Sequence, residues 1–248
     1  MPARAPRPGS AAWRRLARGA VAASGLWLAG ACGSVAQEIV AARFAEPTAR
    51  YAHGVLGDAL EWAALEWTLS DGRSLRAALP ETMVFEDLAP RLWDVDGDGL
   101  SEIVVVETAL DRGARLAVWG ASGRIAAGPF IGRANRWLAP VAAVDLDGDG
   151  RIEIALVDRP HLAKELQLWR IAGEGLERVA SYGGVSNHQI GWDVIIGGAR
   201  DCGDGPELVL GSGDWLELVA LRFDGAEFAR SSLGPWSAEA ARRALSCG

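Results

Sequence analysis

Two short segments near the middle of the chain place aspartates at alternating positions, with glycines between them and a glutamate three residues after the last glycine. Alternating side chains can face one centre when the backbone curls, and glycine tolerates the positive φ that such a curl requires. Calcium prefers six to eight oxygen ligands from carboxylates, backbone carbonyls and water. The segments therefore predict two calcium sites. Their ligands would be the side chains of Asp94, Asp96, Asp98, Glu102, Asp145, Asp147, Asp149 and Glu153 and the carbonyls of Leu100 and Arg151.

The two loops begin like an EF-hand but do not end like one. An EF-hand needs a glutamate at position 12 of the loop and a helix on each side. Position 12 is Val105 in the first loop and Leu156 in the second, and both lie in apolar runs that predict β-strands. The acid at position 9 would close each loop instead. An acidic surface turn that binds no metal is the alternative interpretation.

The loops belong to a sequence repeat of about 50 residues. The second loop begins 51 residues after the first, and residues 116–119 (Leu-Ala-Val-Trp) recur 50 residues later as 166–169 (Leu-Gln-Leu-Trp). Residues 201–207 form a third, degenerate loop, in which weaker metal candidates are Asp201, Asp204 and Glu207. Segments 39–44 and 63–69 fit the strands of an earlier unit, and segment 192–198 is predicted to be a strand of the last one.

Each unit contains about four short apolar segments separated by glycine-rich turns, which is the spacing of a propeller blade. We therefore predict an all-β fold, a β-propeller of about four blades of four antiparallel strands, over residues 37–236. Residues 237–248 form a C-terminal tail in which Ser237 would cap a short helix over 238–245. A ring closed by one chain and a partial ring completed by a partner chain both remain open.

An acidic loop between two strands, repeated at blade spacing, resembles the FG-GAP repeats of the VCBS and integrin α N-terminal-like families. The resemblance covers residues 86–228 in register and extends more weakly to residue 39. It implies a β-propeller with calcium held between the first two strands of a blade. Integrin-type propellers have seven blades, and this chain is too short for seven.

The first 36 residues have the order of a secretory signal peptide. Five arginines precede an apolar run at residues 20–31, and the small residues 34–36 fit a cleavage site. The alternatives are a lipid anchor at Cys32 and a membrane anchor or buried helix. Cleavage would remove five arginines and take the formal net charge from −7 to −12. We therefore expect a periplasmic or secreted protein with no membrane span and no affinity for nucleic acid.

Two cysteines, Cys202 and Cys247, remain after such a cleavage. An even number of cysteines in an oxidising compartment predicts a disulfide between them. Two inert thiols are the alternative.

The sequence favours a binding or scaffold module over an enzyme. It contains no G-x-S-x-G, H-E-x-x-H or glycine-rich phosphate loop, although a propeller hydrolase or lyase stays open as an alternative. Calcium would act as a structural clip in the loops. Amide, aromatic and basic residues at matching blade positions predict a glycan- or peptide-binding face formed by Asn135, Trp137, Asn187 and His188. The alternative is that Trp137 and the nearby Trp192 are core between blades.

Overall fold

A computed structural model describes residues 37–57 and 59–248, and these are all-β apart from one short helix. The predicted signal peptide over residues 1–36 and the alternative lipid anchor at Cys32 lie outside the described residues. The described residues belong to a single compact unit.

The strands fall into four consecutive antiparallel groups. The first group contains β1 (Ile39–Thr48), β2 (Glu61–Leu69) and β3 (Ser74–Ala78). The second contains β5 (Arg91–Trp93), β6 (Glu102–Ala109), β7 (Gly113–Gly120) and β8 (Gly123–Ala127). The third contains β9 (Leu138–Val144), β10 (Glu153–Asp158), β11 (Glu165–Ala172) and β12 (Gly175–Gly183).

The fourth group contains β14 (Gly198–Asp201), β15 (Pro206–Ser212), β16 (Glu217–Phe223) and β17 (Phe228–Pro235), and the two-residue strand β13 (Val185–Ser186) also pairs with β15. The predicted strand at 192–198 is wrong for all but its last residue. Residues 187–197 form a loop because the Ile196 amide bonds the Asn187 carbonyl and the His188 ring bonds the Trp192 carbonyl.

Two short contacts join the first three groups into one curled twelve-stranded sheet. The strand β4 (Met83–Phe85) pairs with both β2 and β6, and a single parallel bridge at Ala127 and Gly175 joins β8 to β12. The fourth group forms a separate five-stranded sheet. The all-β class is thus observed, and the second and third groups each have four antiparallel strands, whereas strand pairing by itself defines no closed ring of four separate blades.

The second strand of each later group is buried on both faces, which explains its continuous run of apolar residues. In β6, Val105 packs toward the first group and Val104 toward the third. In β10, Leu156 packs toward the second group and Val157 toward the fourth. The groups therefore stack face to face. None of the buried clusters in the described part of the chain combines strand residues of the fourth group with those of the first.

The tail forms the predicted helix, α1 (Ala238–Leu245), with the Ser237 hydroxyl accepting the Ala240 amide as its N-cap. Its buried residue Ala241 packs on Val209 and Leu218, so α1 covers the outer face of the fourth group. Within the described residues, no helix is both long enough and apolar enough to cross a membrane.

The predicted disulfide is confirmed. Cys202 in the third loop is bonded to Cys247 just after α1, with their Cα atoms 5.6 Å apart across 45 residues of sequence. The covalent link and the apolar contacts of α1 together hold the tail against the fourth group.

Candidate metal centre

Both intact acidic loops connect the first and second strands of a group, as the sequence predicts. Asp94 follows β5 and Glu102 opens β6, while Asp145 follows β9 and Glu153 opens β10. The glycines at positions four and six of each loop have φ between 77° and 86°. A residue with a Cβ would be strained there, so the four glycines allow the curl that gathers the carboxylates.

Backbone amides hold the aspartates of both loops in the same way. Asp94 accepts the amides of Gly97 and Gly99 at 2.7 and 2.9 Å, one on each carboxylate oxygen. Asp145 accepts those of Gly148 and Gly150 at 2.8 and 2.9 Å. The other four aspartates each use Oδ1 to accept the amide two residues further on: Asp96, Asp98, Asp147 and Asp149.

The closing glutamates are the buried members of the two loops. Glu102 is 8 % exposed and its Oε2 accepts the Val95 amide at 3.1 Å; Glu153 is fully buried and its Oε2 accepts the Leu146 amide at 2.8 Å. Ligand oxygens converge to within 4.8 Å of one another in two sets of three residues: Asp94, Asp96 and Glu102, and Asp145, Asp147 and Glu153. Asp98 and Asp149 are not members of these sets.

The first loop is an uncompensated anionic centre. No positively charged side chain in the described part of the chain pairs with any of its four acids. Burial, together with the negative charges of the loop aspartates, raises the pKa of Glu102 to about 7. A divalent cation would relieve this repulsion, and the hard oxygen donors are those that calcium prefers. The first loop therefore fits calcium.

The second loop contains a cation already. The Arg170 guanidinium, on β11, bonds Oε1 of Glu153, Oδ2 of Asp149 at 2.9 Å and Oδ2 of Asp147 at 3.0 Å. The amide bond from Arg151, helped by the positive charge of Arg170, holds the pKa of the Asp149 carboxyl below its usual range. Three carboxylates of the second loop therefore already have a cationic partner, which distinguishes this loop from the first.

Residues 94–156 match the family model of the FG-GAP-like repeat. The chain contains an FG-GAP-like repeat. The matched segment runs from the first aspartate of the first loop through the second loop into β10. A comparison with curated proteins finds no match to the chain.

The third loop lies outside the matched FG-GAP-like repeat and is held by arginines and the disulfide. Glu207 accepts Arg200 at 2.7 Å and Arg222 at 3.0 Å, one on each carboxylate oxygen. Asp201 accepts the amides of Gly203 and Gly205, and the Asp204 side chain is exposed. The three weaker candidates do not gather into an acidic centre, because arginines neutralise the glutamate.

Three of the four residues predicted to form a ligand face are buried. Trp137 is 2 % exposed, and Asn187 and His188 are fully buried. The Trp137 indole donates to the Glu86 carbonyl at 2.7 Å and packs in the core between the second and third groups. Trp137 is therefore core between groups, as the alternative interpretation expected, and of the four residues only Asn135 is exposed.

Sequence reasoning missed a cavity of about 340 Å³ above this buried layer, outside the FG-GAP-like repeat loops. Its lining includes His53, Asn135, His161, Leu162 and Ile190. Leu162 is 62 % and Ile190 72 % exposed, so two exposed apolar side chains lie together at this cavity. The fully buried Glu86 bonds the His53 ring and accepts the Thr108 hydroxyl at 2.6 Å, so the imidazole is held in one orientation.

A second histidine of the cavity is part of a neutral hydrogen-bonded chain. His188 Nε2 lies 2.9 Å from the Trp192 carbonyl, which can only accept, so His188 Nδ1 is left to accept from His161 Nε2 at 2.9 Å. Burial lowers the pKa of His161 to about 4, and the neighbouring His188 adds to the effect. Burial also lowers the pKa of His188. Both rings are therefore neutral near pH 7.

Proposed function

We propose that this protein is an exported, calcium-binding module of the FG-GAP type that acts by binding or scaffolding rather than by catalysis. The observation that supports it best is the uncompensated first loop, where Asp94, Asp96 and Glu102 converge with no cationic partner among the described residues. Export is supported by the disulfide, since such bonds persist in oxidising compartments.

Calcium in the first loop would be held by Asp94, Asp96, Asp98, Glu102 and the Leu100 carbonyl. When bound, the ion supplies two positive charges that neutralise the mutual repulsion of these carboxylates. The loop begins at β5 and ends at β6, so closing it fixes the ends of two strands. Free calcium at a hundred times Kd would stabilise the fold by about 2.7 kcal/mol. This is the role of a structural clip.

A calorimetric titration tests calcium binding at the first loop. We expect binding with a Kd near 10⁻⁴–10⁻³ M or somewhat tighter, as in other extracellular calcium modules. Asp96→Asn removes one of the carboxylates that have no cationic partner among the described residues, and it should abolish the heat of calcium binding. Asp71→Asn changes the charge equally in the turn between β2 and β3 and should leave the titration unchanged. Absence of binding at millimolar calcium would contradict the proposal.

The proposed arrangement of the strand groups is a propeller-like stack of about four blades. Its support is the alternation in β6 and β10, where successive side chains pack on the groups before and after. If one chain makes the whole stack, light scattering should give the mass of a monomer with and without chelator. A dimer would instead indicate blades completed by a partner chain.

A second candidate role, binding a peptide or glycan, is favoured by the cavity flanked by Leu162 and Ile190. Its described lining includes His53 and His161 but no serine, threonine or cysteine that a histidine could activate for covalent catalysis. Apolar side chains this exposed beside oriented imidazoles suit a ligand with both apolar and hydrogen-bonding surfaces.

Binding at the cavity can be tested without disturbing the core. A peptide and glycan array should yield ligands whose affinity falls about tenfold or more in Ile190→Ser, because an apolar contact is lost. Val40→Ser, at an apolar residue that is 50 % exposed on β1, is the matched control and should bind normally. Equal affinity of both variants for the array ligands would exclude this cavity as their binding site.

A further inference from the structure

The position that faces the loop glutamate differs between repeats. Ile103 pairs with Trp119, Ile154 with Trp169 and Leu208 with Leu221. Extending each of these pairings by one residue shows which residue of the next strand lies opposite the loop glutamate. That residue directly follows Trp119, Trp169 or Leu221. The opposed pairs are Glu102 and Gly120, Glu153 and Arg170, and Glu207 and Arg222.

The hydrogen bonds of the first two loops differ at three matching oxygens. All eight carboxylate oxygens of the second loop have a partner, and Arg170 supplies three of them. In the first loop the backbone bonds are the same, but three oxygens have no hydrogen-bond partner among the described residues: Asp96 Oδ2, Asp98 Oδ2 and Glu102 Oε1. The matching oxygens of the second loop, Asp147 Oδ2, Asp149 Oδ2 and Glu153 Oε1, are the three that bond Arg170.

The guanidinium is well protected in the second loop. The Arg170 side chain is 9 % exposed, and those of Asp147 and Glu153 are 8 % and 0 % exposed. The turn between β16 and β17 also covers the loop, since a Cβ added at Gly225 would lie 3.1 Å from Asp147 Oδ2. A metal ion would have to displace a buried cation that already makes charge-assisted bonds to three carboxylates.

The third repeat supplies an independent example of the same device. Arg222 bonds Glu207 through Nε and the Asp204 carbonyl through Nη1. Only the repeat with glycine at this position leaves its loop glutamate without an arginine in the described part of the chain. Gly120 has no side chain to reach Glu102.

We infer that Arg170 is the built-in counter-cation of the second loop, so that this loop needs and takes no metal, and the chain binds a single calcium ion in the first loop. The count of one rests on the proposed calcium binding of the first loop. The metal-independence of the second loop rests on Arg170 alone.

Calcium stoichiometry of the full protein and four variants tests this inference, with equilibrium dialysis against calcium as the readout. The unchanged protein should bind one ion, Asp147→Asn should still bind one, and Asp96→Asn should bind none. Arg170→Ala should bind two, because it frees the three second-loop oxygens. Arg178→Ala removes an equal charge from β12, outside the loops, and should bind one.

Thermal unfolding gives a readout that is independent of the count. In chelator, Arg170→Ala should unfold at a lower temperature than Arg178→Ala, because three acids lose their cation. Calcium at a hundred times Kd should then raise its midpoint by about 5 to 10 °C more than that of Arg178→Ala.

The outcomes separate the two claims. An ion that remains bound to Asp96→Asn would show that the second loop takes metal beside Arg170, and would overturn the inference even if Arg170→Ala fails to fold. A folded Arg170→Ala that gains neither an ion nor calcium-dependent stability would overturn it as well. If the unchanged protein binds none while Arg170→Ala gains one, the proposed function fails and the role of Arg170 stands.

Discussion

Gly120 and Arg170 occupy the same position in two successive repeats. Each directly follows a tryptophan, and that tryptophan pairs with the residue after the loop glutamate. Arg170 neutralises its loop from within the chain, and Gly120 leaves Glu102 without such a partner. Two loops that look equivalent in sequence are therefore electrostatically different. Most of the predictions below follow from this difference and from the packing beneath the cavity.

An arginine introduced at Gly120 should convert the first loop into a copy of the second. A Cβ there would lie 3.1 Å from Cγ2 of Ile125, so the change is best made as Gly120→Arg with Ile125→Ala. We expect the double variant to lose calcium binding in a calorimetric titration and to become insensitive to chelator in thermal unfolding. Ile125→Ala alone should bind calcium normally. Calcium binding by the folded double variant would show that an arginine cannot replace the ion.

Trp137→Ala should destabilise the fold by about 3–5 kcal/mol, as expected for removing a large buried aromatic side chain. The indole is 2 % exposed, donates to the Glu86 carbonyl and packs between two strand groups. Chemical denaturation measures the change directly. Trp62→Ala, at a partly buried residue of β2, should cost less. A small loss for Trp137→Ala would contradict the assignment of this residue to the core.

Loss of the disulfide should destabilise the fourth group and the tail without affecting the metal centre. The chain-entropy model assigns a crosslink of this span roughly 4 kcal/mol. Because α1 also packs on Val209 and Leu218, the helix should loosen rather than leave its place. Cys247→Ser should therefore unfold at a lower temperature, expose the tail to limited proteolysis and still bind calcium. Ser246→Ala is the neighbouring control, and equal proteolysis of the two variants would argue against a stabilising bridge.

His161 should make stability fall as the solution becomes acidic. Its pKa is lowered from 6.5 to about 4, so between these pH values the unfolded chain takes up a proton that the folded chain does not. The contribution is present above pH 6.5 and is lost toward pH 4. The stability of the protein relative to His161→Gln should decrease by about 2 kcal/mol between pH 7 and pH 4.5, measured by urea unfolding. A pH-independent difference would contradict the neutral His161–His188 pair.

The sequence predicts those parts of the molecule in which local chemistry repeats. The strands around the two intact loops, the helix after Ser237 and the bond between Cys202 and Cys247 all follow from periodicity, capping or cysteine count. The predicted strand at 192–198 is wrong for all but its last residue, because apolar residues resembling a strand lie there in the loop over 187–197. Backbone hydrogen bonds within the loop and the bond between the His188 ring and the Trp192 carbonyl fix its conformation, and no local pattern reports them.

The difference between the two intact acidic loops could not be seen from the loops themselves. All acidic positions are filled in both, and the deciding residue, Arg170, lies 17 residues after Glu153 on another strand. Aligning the repeats through their tryptophans places Arg170 against Gly120, so the contrast was present in the sequence. The functional consequence of this contrast becomes clear only from the register of β10 and β11, because that register places Arg170 opposite Glu153.

Anomalous diffraction from crystals grown in calcium would locate each bound ion. We expect one strong peak per chain among Asp94, Asp96 and Glu102, and none beside Arg170. Absence of a peak in the first loop, or peaks of equal height in both loops, would contradict it.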